Sequence, residues 1–240
     1  MPKTSANPFA EPSHLPYKLP DFAVFTPEHY RQGFAEGMVE HLAELDALAT
    51  NPEPASVENT LDAWERAGQM LTRVSLAFDA VKLSDTTDEL DAIEEEFAPK
   101  LAAHADAIFL DSRLNDRLLE LASRADAGEV ALDAQADWLL RELIREFTRS
   151  GVALGEAEQA RLREINGRLA ELTTAFESAN LKARVAGGID VTIEELDGLS
   201  DDEVAALRRP DGSLRIELVN TSQQPLLTSL ADRKTRQRLM

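Results

Sequence analysis

Histidine and carboxylate spacing decides first whether this sequence carries metal or hydrolytic chemistry. The four histidines are His14, His29, His41 and His104, followed by Leu15, Tyr30, Leu42 and Ala105. The zinc-peptidase pattern HExxH, which sets two ligands and a general base on one helix face, is therefore absent. A di-iron bundle needs Glu three residues before a helical His, but Thr26, Met38 and Leu101 hold those places and Glu11 lies in a proline-rich stretch. His41 with Glu40 and Glu44, or His104 with Asp106, could touch a metal through one helical turn; the expectation is instead surface histidines among carboxylates. Glu94-Glu95-Glu96 reads as a solvated face rather than an acid/base pair. No GxSxG elbow, Walker A loop or GxGxxG turn offers a nucleophile or a phosphate cradle. Zero cysteines remove disulfides, thiolate ligands and cysteine nucleophiles together. The sequence assigns no catalytic, cofactor-binding or metal-binding residue to this chain.

The elements that would position such groups are helices. The stretch from Leu132 to Gly188 organises the rest and reads as a hairpin of two long helices. Its second helix carries Leu162, Ile165, Leu169, Leu172, Phe176, Ala179 and Ala183 in alternating steps of three and four, a coiled-coil-like seam expected to be buried. Its first offers Ala136, Leu140, Leu143 and Phe147 after an N-cap at Asp133. Gly151 and Gly155 bracket the reversal, and Gly187-Gly188 stops the second helix.

Ahead of this hairpin, Pro8, Pro12, Pro16, Pro20 and Pro27 alternate with Phe9, Leu15, Tyr17, Phe22 and Phe25, predicting an extended arm across the helices. Thr26-Pro27 begins helix one, with a stripe at Tyr30, Phe34, Met38, Leu42, Leu45 and Ala49, ended by Asn51-Pro52-Glu53-Pro54. Ser56 caps a second long helix through Leu61, Trp64, Gly68, Leu71, Val74, Phe78 and Val81. Thr86 and Glu89 form a capping box for a third, with Leu90, Ile93, Phe97, Leu101, Ala105 and Ile108 inward and a kink at Pro99. Asp111 restarts a shorter helix through Leu114, Leu118 and Leu121. The connections are short, so the helices are mostly antiparallel neighbours.

After Gly188 the period changes to two. Ile189, Val191 and Ile193, and Leu214, Ile216 and Leu218, predict two short strands of one sheet. Between them Ser200 and Glu203 cap a brief helix, and Pro210-Asp211-Gly212 is a turn. A last helix from about Pro225 runs through Leu226, Leu227, Leu230 and a basic end without a stop signal. The fold expected is mostly α, an antiparallel assembly of long helices over residues 1–186 with an arm at 1–26, then a small α+β segment over 187–240 that starts a lobe truncated at 240.

The formal net charge of −19 over 240 residues argues against a phosphate-backbone partner, whose affinity comes from clustered Lys and Arg. MPKTSANPF lacks a signal-peptide apolar core, and no apolar run approaches the ~18 residues that span a bilayer. The expected location is cytoplasmic, or periplasmic had a leader been removed.

Several stretches in order resemble the N-terminal portion of the thimet-oligopeptidase-like zinc peptidases, in particular the bacterial peptidyl-dipeptidase Dcp and oligopeptidase A branch. They are Asn7-Pro8-Phe9 with Leu15-Pro16-Tyr17, NPEPASVENTLDAWERAGQMLTRV from Asn51, FAPKLAAHADAIFLDSRL from Phe97, LTTAFESANL from Leu172 and NTSQQPLLTSLADRKTRQRL from Asn220. The resemblance implies a mostly helical metallopeptidase whose two lobes flank a channel for short peptides, with zinc held by two histidines of HExxH and a further glutamate. This sequence stops before HExxH, so no ligand or catalytic residue carries over. The resemblance makes the chain a noncatalytic part of a lobe wall, inactive alone and without zinc, whose partner is the catalytic remainder of the same protein. The alternative is a stand-alone helical interaction module. A truncated chain would leave the faces around Ile189, Leu214 and Leu226 uncovered, giving self-association or fraying after Gly188.

Overall fold

Thr26 and Pro27 begin the first long helix as their chemistry requires. The Thr26 hydroxyl accepts from the His29 N–H, the Thr26 N–H donates to the His29 ring at 3.2 Å, and proline opens α1 (Pro27–Ala49). The computed structural model describes residues 7–217 and 220–240, without the side chains of 184–185 and 220–222. Leu218, the end of the second expected strand, lies outside the described residues.

Ser56 caps a single π turn (Val57–Leu61) that runs into α2 (Asp62–Arg66). The one long helix expected from Ser56 through Val81 is broken at Gly68, and α3 (Gln69–Ser84) starts afresh. Gly68 has φ +72°, and a Cβ there would stand 2.9 Å from the His41 ring. Its N–H donates to Glu44 Oε2 at 2.7 Å, so a tertiary contact replaces the helical one. Nearby, a Cβ on Gly37 would come 2.9 Å from the Leu71 backbone nitrogen, which shows how closely α1 and α3 approach.

Thr87, not Thr86, caps α4 (Asp88–Phe109); the Thr86 hydroxyl donates instead to Asp91 Oδ1 at 2.7 Å. The helix continues through Pro99. Asp111 and Asp133 cap α5 (Ser112–Asp126) and α6 (Ala134–Ser150), and α7 spans Glu156–Gly187. One core gathers Phe9, Tyr30, Phe34, Val74, Phe78, Ile93 and Phe97. A second gathers Leu45, Leu61, Leu118, Leu121, Leu140 and Phe147. The arm crosses the helices only at its two ends. Phe9 is buried, its carbonyl accepts from Arg73 Nε at 2.8 Å, and its ring lies 4.5 Å from that of Phe25. Between them Leu15, Tyr17, Leu19 and Phe22 are exposed around a 3-10 turn (Pro16–Lys18).

The chain divides into two units, Met1–Thr174 and Ala175–Met240. In the second, β1 (Ile189–Val191) pairs antiparallel with β2 (Leu214–Ile216), Ile189 opposite Ile216 and Val191 opposite Leu214. Ile193 falls outside the strand and is exposed. Ser200 and Glu203 form the expected capping box of α8 (Asp201–Ala206). The single helix expected from Pro225 is two, α9 (Asn220–Ser229) and α10 (Arg233–Leu239), parted where the Asp232 carboxylate accepts from the Thr235 N–H at 2.7 Å. Leu196, Leu214, Ile216, Leu226, Leu230 and Leu239 close a core of their own. The faces expected to be left uncovered near Leu214 and Leu226 are thus satisfied within this unit.

The largest departure lies in α7. The first half of the hairpin behaves as expected, with Leu140, Leu143 and Phe147 of α6 buried. The second does not: Ile165 is 40%, Leu169 55%, Leu172 48% and Phe176 71% exposed. The helix is anchored by its opposite side. Gln159 Nε2 donates to the Val152 carbonyl at 3.1 Å, Asn166 Nδ2 donates to Asp106 Oδ1 at 2.6 Å, and Thr174 is buried. The buried seam centred on Leu169 is therefore corrected to an outward apolar stripe.

Candidate functional site

Each histidine has a definite place. His14 is exposed in the arm, and His29 belongs to the cap of α1, its Nδ1 also 3.1 Å from the Val24 carbonyl. His41 of α1 and His104 of α4 meet, His41 Nδ1 lying 3.1 Å from His104 Nε2 with ring centroids 5.1 Å apart. The expectation of surface histidines is corrected: His104 is 8% exposed and His41 half-buried.

Helical spacing explains the pairing. His41 stands three residues after Met38 and four before Leu45, and His104 three after Leu101 and four before Ile108, so both occupy the inward stripes of their helices. The stripes expected from sequence run through Leu42 and Ala105 instead, and both are exposed. The signal was present in the spacing, but an imidazole competes poorly with leucine or alanine as a guess for a core position.

Two buried imidazoles this close share one hydrogen bond. The proton placement that leaves no buried N–H without an acceptor puts the hydrogen on His104 Nε2, donated to His41 Nδ1, because His104 Nδ1 has no hydrogen-bond partner among the described residues. Burial, reinforced by the His41 ring, pushes the His104 pKa down to about 4. Burial also lowers that of His41, partly opposed by the Glu44 carboxylate. Both rings are thus neutral at pH 7, and the pair fastens α1 to α4.

The pair lacks a third donor for a metal. Glu44 is engaged by the Gly68 N–H and Asp106 by Asn166. Among the described residues no group of three or more His, Cys, Asp or Glu is placed to hold a metal ion. The described residues thus offer no ligand set that fits the zinc implied for a parent peptidase.

The acidic run is more engaged than a merely solvated face. Glu94 pairs with Lys82 at 3.0 Å, and Glu96 with Arg31 at 3.2 Å and Lys100 at 2.7 Å, while Glu95 is exposed. Asp79 opens with Glu94 onto a cleft of about 250 Å3 floored by Phe34, Phe78 and Phe97, and burial together with the Glu94 charge raises its pKa. A wider groove of about 750 Å3 beside His29, Arg31, Glu96 and Lys100 is crossed by the Glu96 ion pairs. Neither opening joins a nucleophile to a base. No helix among the described residues is long and apolar enough to cross a membrane.

No protein-family model matches the chain. Individual relatives do. It is 37% identical over 243 residues to a dipeptidyl carboxypeptidase of Escherichia coli strain K12, across 98% of this chain and 35% of that protein. The Salmonella typhimurium dipeptidyl carboxypeptidase is 36% identical over 242 residues, with the same shares covered. Oligopeptidase A of Salmonella typhimurium is 23% identical over 193 residues, covering 80% of this chain and 28% of that protein. The chain spans about a third of the length of the dipeptidyl carboxypeptidases it matches. Matched along nearly its whole length and along only a third of theirs, it is homologous to part of the dipeptidyl carboxypeptidases and, at lower identity, to part of oligopeptidase A.

Proposed function

We propose that this chain is the noncatalytic N-terminal portion of a zinc metallopeptidase of the peptidyl-dipeptidase and oligopeptidase kind, acting on short peptides. The observation that carries the reading is the shape of the match: 98% of the chain against 35% of a dipeptidyl carboxypeptidase. With no HExxH among its 240 residues, the catalytic centre belongs to the remaining part of the same protein, which also supplies the zinc site. In this reading residues 1–186 form a helical wall that restricts the channel to short peptides. Residues 187–240 open the next lobe, and the parent works in the cytoplasm. The chain alone hydrolyses nothing.

The test is to read the coding sequence past Met240. The proposal expects HExxH and a downstream glutamate there, and peptidase activity for the longer polypeptide with none for the 240-residue chain. A stop codon at Met240 would overturn it. The second reading, a stand-alone helical interaction module, draws support from the outward stripe of α7, because contiguous apolar surface on a soluble chain marks a docking face.

A further inference from the structure

An amphipathic helix on an isolated domain turns its apolar side inward, since each buried leucine is worth roughly 1.5–3 kcal/mol. The part of α7 within Met1–Thr174 does the reverse. Apart from Leu162, which is half-buried beside Gly151, its inward side is polar or small, with Gln159, Asn166, Ala170 and Thr174 at least half-buried, and two of these are hydrogen-bonded to the Val152 carbonyl and Asp106. Those bonds fix the rotation of the helix about its axis. Ile165, Leu169 and Leu172 then point outward in the three-four spacing that receives the knobs of a second helix.

A second copy of this chain is a poor occupant of that seam. The seam is flanked on one side by Arg161 and Arg168, each already paired within α7, with Glu164 and Glu171, at 2.8 Å. An antiparallel copy would set these arginines against the same arginines. A parallel copy would set them against Asn166, which is committed to Asp106, and the uncharged Thr173. Neither arrangement gains an ion pair. About two-thirds of each matched dipeptidyl carboxypeptidase lies outside the match, so a parent polypeptide of that length has most of its chain left to supply a covering element.

We propose that the outward stripe of α7, Ile165, Leu169 and Leu172, is the docking face for an apolar helix contributed by the catalytic remainder of the parent polypeptide. The inference rests on the functional reading above and adds the surface through which the noncatalytic part is held.

The chain has no cysteine, so single thiols report accessibility cleanly. Leu169→Cys and, as a reference on another exposed face of the same helix, Glu171→Cys are placed in the 240-residue chain and in the polypeptide encoded when the frame is read past Met240. Alkylation by a maleimide is followed by peptide mass spectrometry, so thiols elsewhere do not interfere. Both positions are exposed, and both variants should fold. In the 240-residue chain the two thiols are expected to react at similar rates, independent of protein concentration. In the longer polypeptide Leu169→Cys is expected to slow at least tenfold while Glu171→Cys does not. Equal rates in a longer polypeptide that cleaves peptides would overturn the docking face and leave the functional reading intact. Concentration-dependent protection of Leu169→Cys in the 240-residue chain would assign the face to a second copy and overturn the proposal. Absence of any encoded remainder would overturn both.

Discussion

Helices α6 and α7 carry apolar stripes of similar regularity and meet opposite fates. In α6, Leu140 and Phe147 are fully buried against Leu45, Leu61, Leu118 and Leu121. In α7, Leu169 and Phe176 face outward, and the helix is held by the amides of Gln159 and Asn166. Periodicity thus establishes that a helix has an apolar side and says nothing about which neighbour covers it. Hydrogen bonds from the polar side orient α7, because a buried carboxylate such as Asp106 loses more by going unpaired than the chain gains by covering one leucine.

The sharpest way to break this comparison is to truncate equivalent aromatic residues. Phe147→Ala should cost on the order of 3–5 kcal/mol through lost burial and the cavity left behind, whereas Phe176→Ala should cost under about 0.5 kcal/mol. Urea melts monitored by circular dichroism give both numbers, and similar midpoints would mean that the two stripes are equally covered.

Acid tests the buried side alone. His104 titrates near 4 when folded and near 6.5 when unfolded, so between those values the unfolded chain binds more protons. The stability contributed by the neutral ring is full above about pH 6.5 and is lost as pH falls toward 4, by at most about 3 kcal/mol. His104→Gln should flatten the dependence in that window. Amide exchange would sharpen the contrast, since acid should speed exchange in α1 and α4, which the pair joins, before α7 responds.

Asn166→Ala should cost about 1–3 kcal/mol, because it strands the Asp106 carboxylate, which is 8% exposed. It should also speed amide exchange within residues 160–174, leaving α6 unchanged. Equal exchange before and after the substitution would show that α7 is held by something other than its polar face. A smaller effect belongs to the caps: Thr87→Ala should cost about 1 kcal/mol at the start of α4, and Thr86→Ala less, read from thermal midpoints.

What the sequence revealed follows the same division. The caps at Thr26, Ser56, Asp111, Asp133 and Ser200 were legible because each is settled within three residues. The sequence favours Thr86 over Thr87 because only Thr86 has a carboxylate three residues on, at Glu89; in the structure the Thr86 hydroxyl goes to Asp91 instead and leaves the cap to Thr87. The break at Gly68 depends on Glu44 and His41, more than twenty residues away, and could not be read locally. The closed core of Leu196, Leu214, Leu226 and Leu239 likewise needed the fold, since two three-residue strands carry no mark of what they pack against. The pairing of His41 with His104 is compatible with the spacing of both helices, but leucine and alanine at the neighbouring positions fit the same stripes, so spacing alone does not select the imidazoles.

The orientation of α7 is the central claim, and hydroxyl-radical footprinting of the monomeric 240-residue chain tests it most directly. Oxidation should be rapid at Ile165, Leu169, Leu172 and Phe176 and slow at Leu140, Leu143 and Phe147. Protection of the four α7 residues to the level of those in α6 would contradict the account and restore a hairpin with a buried seam.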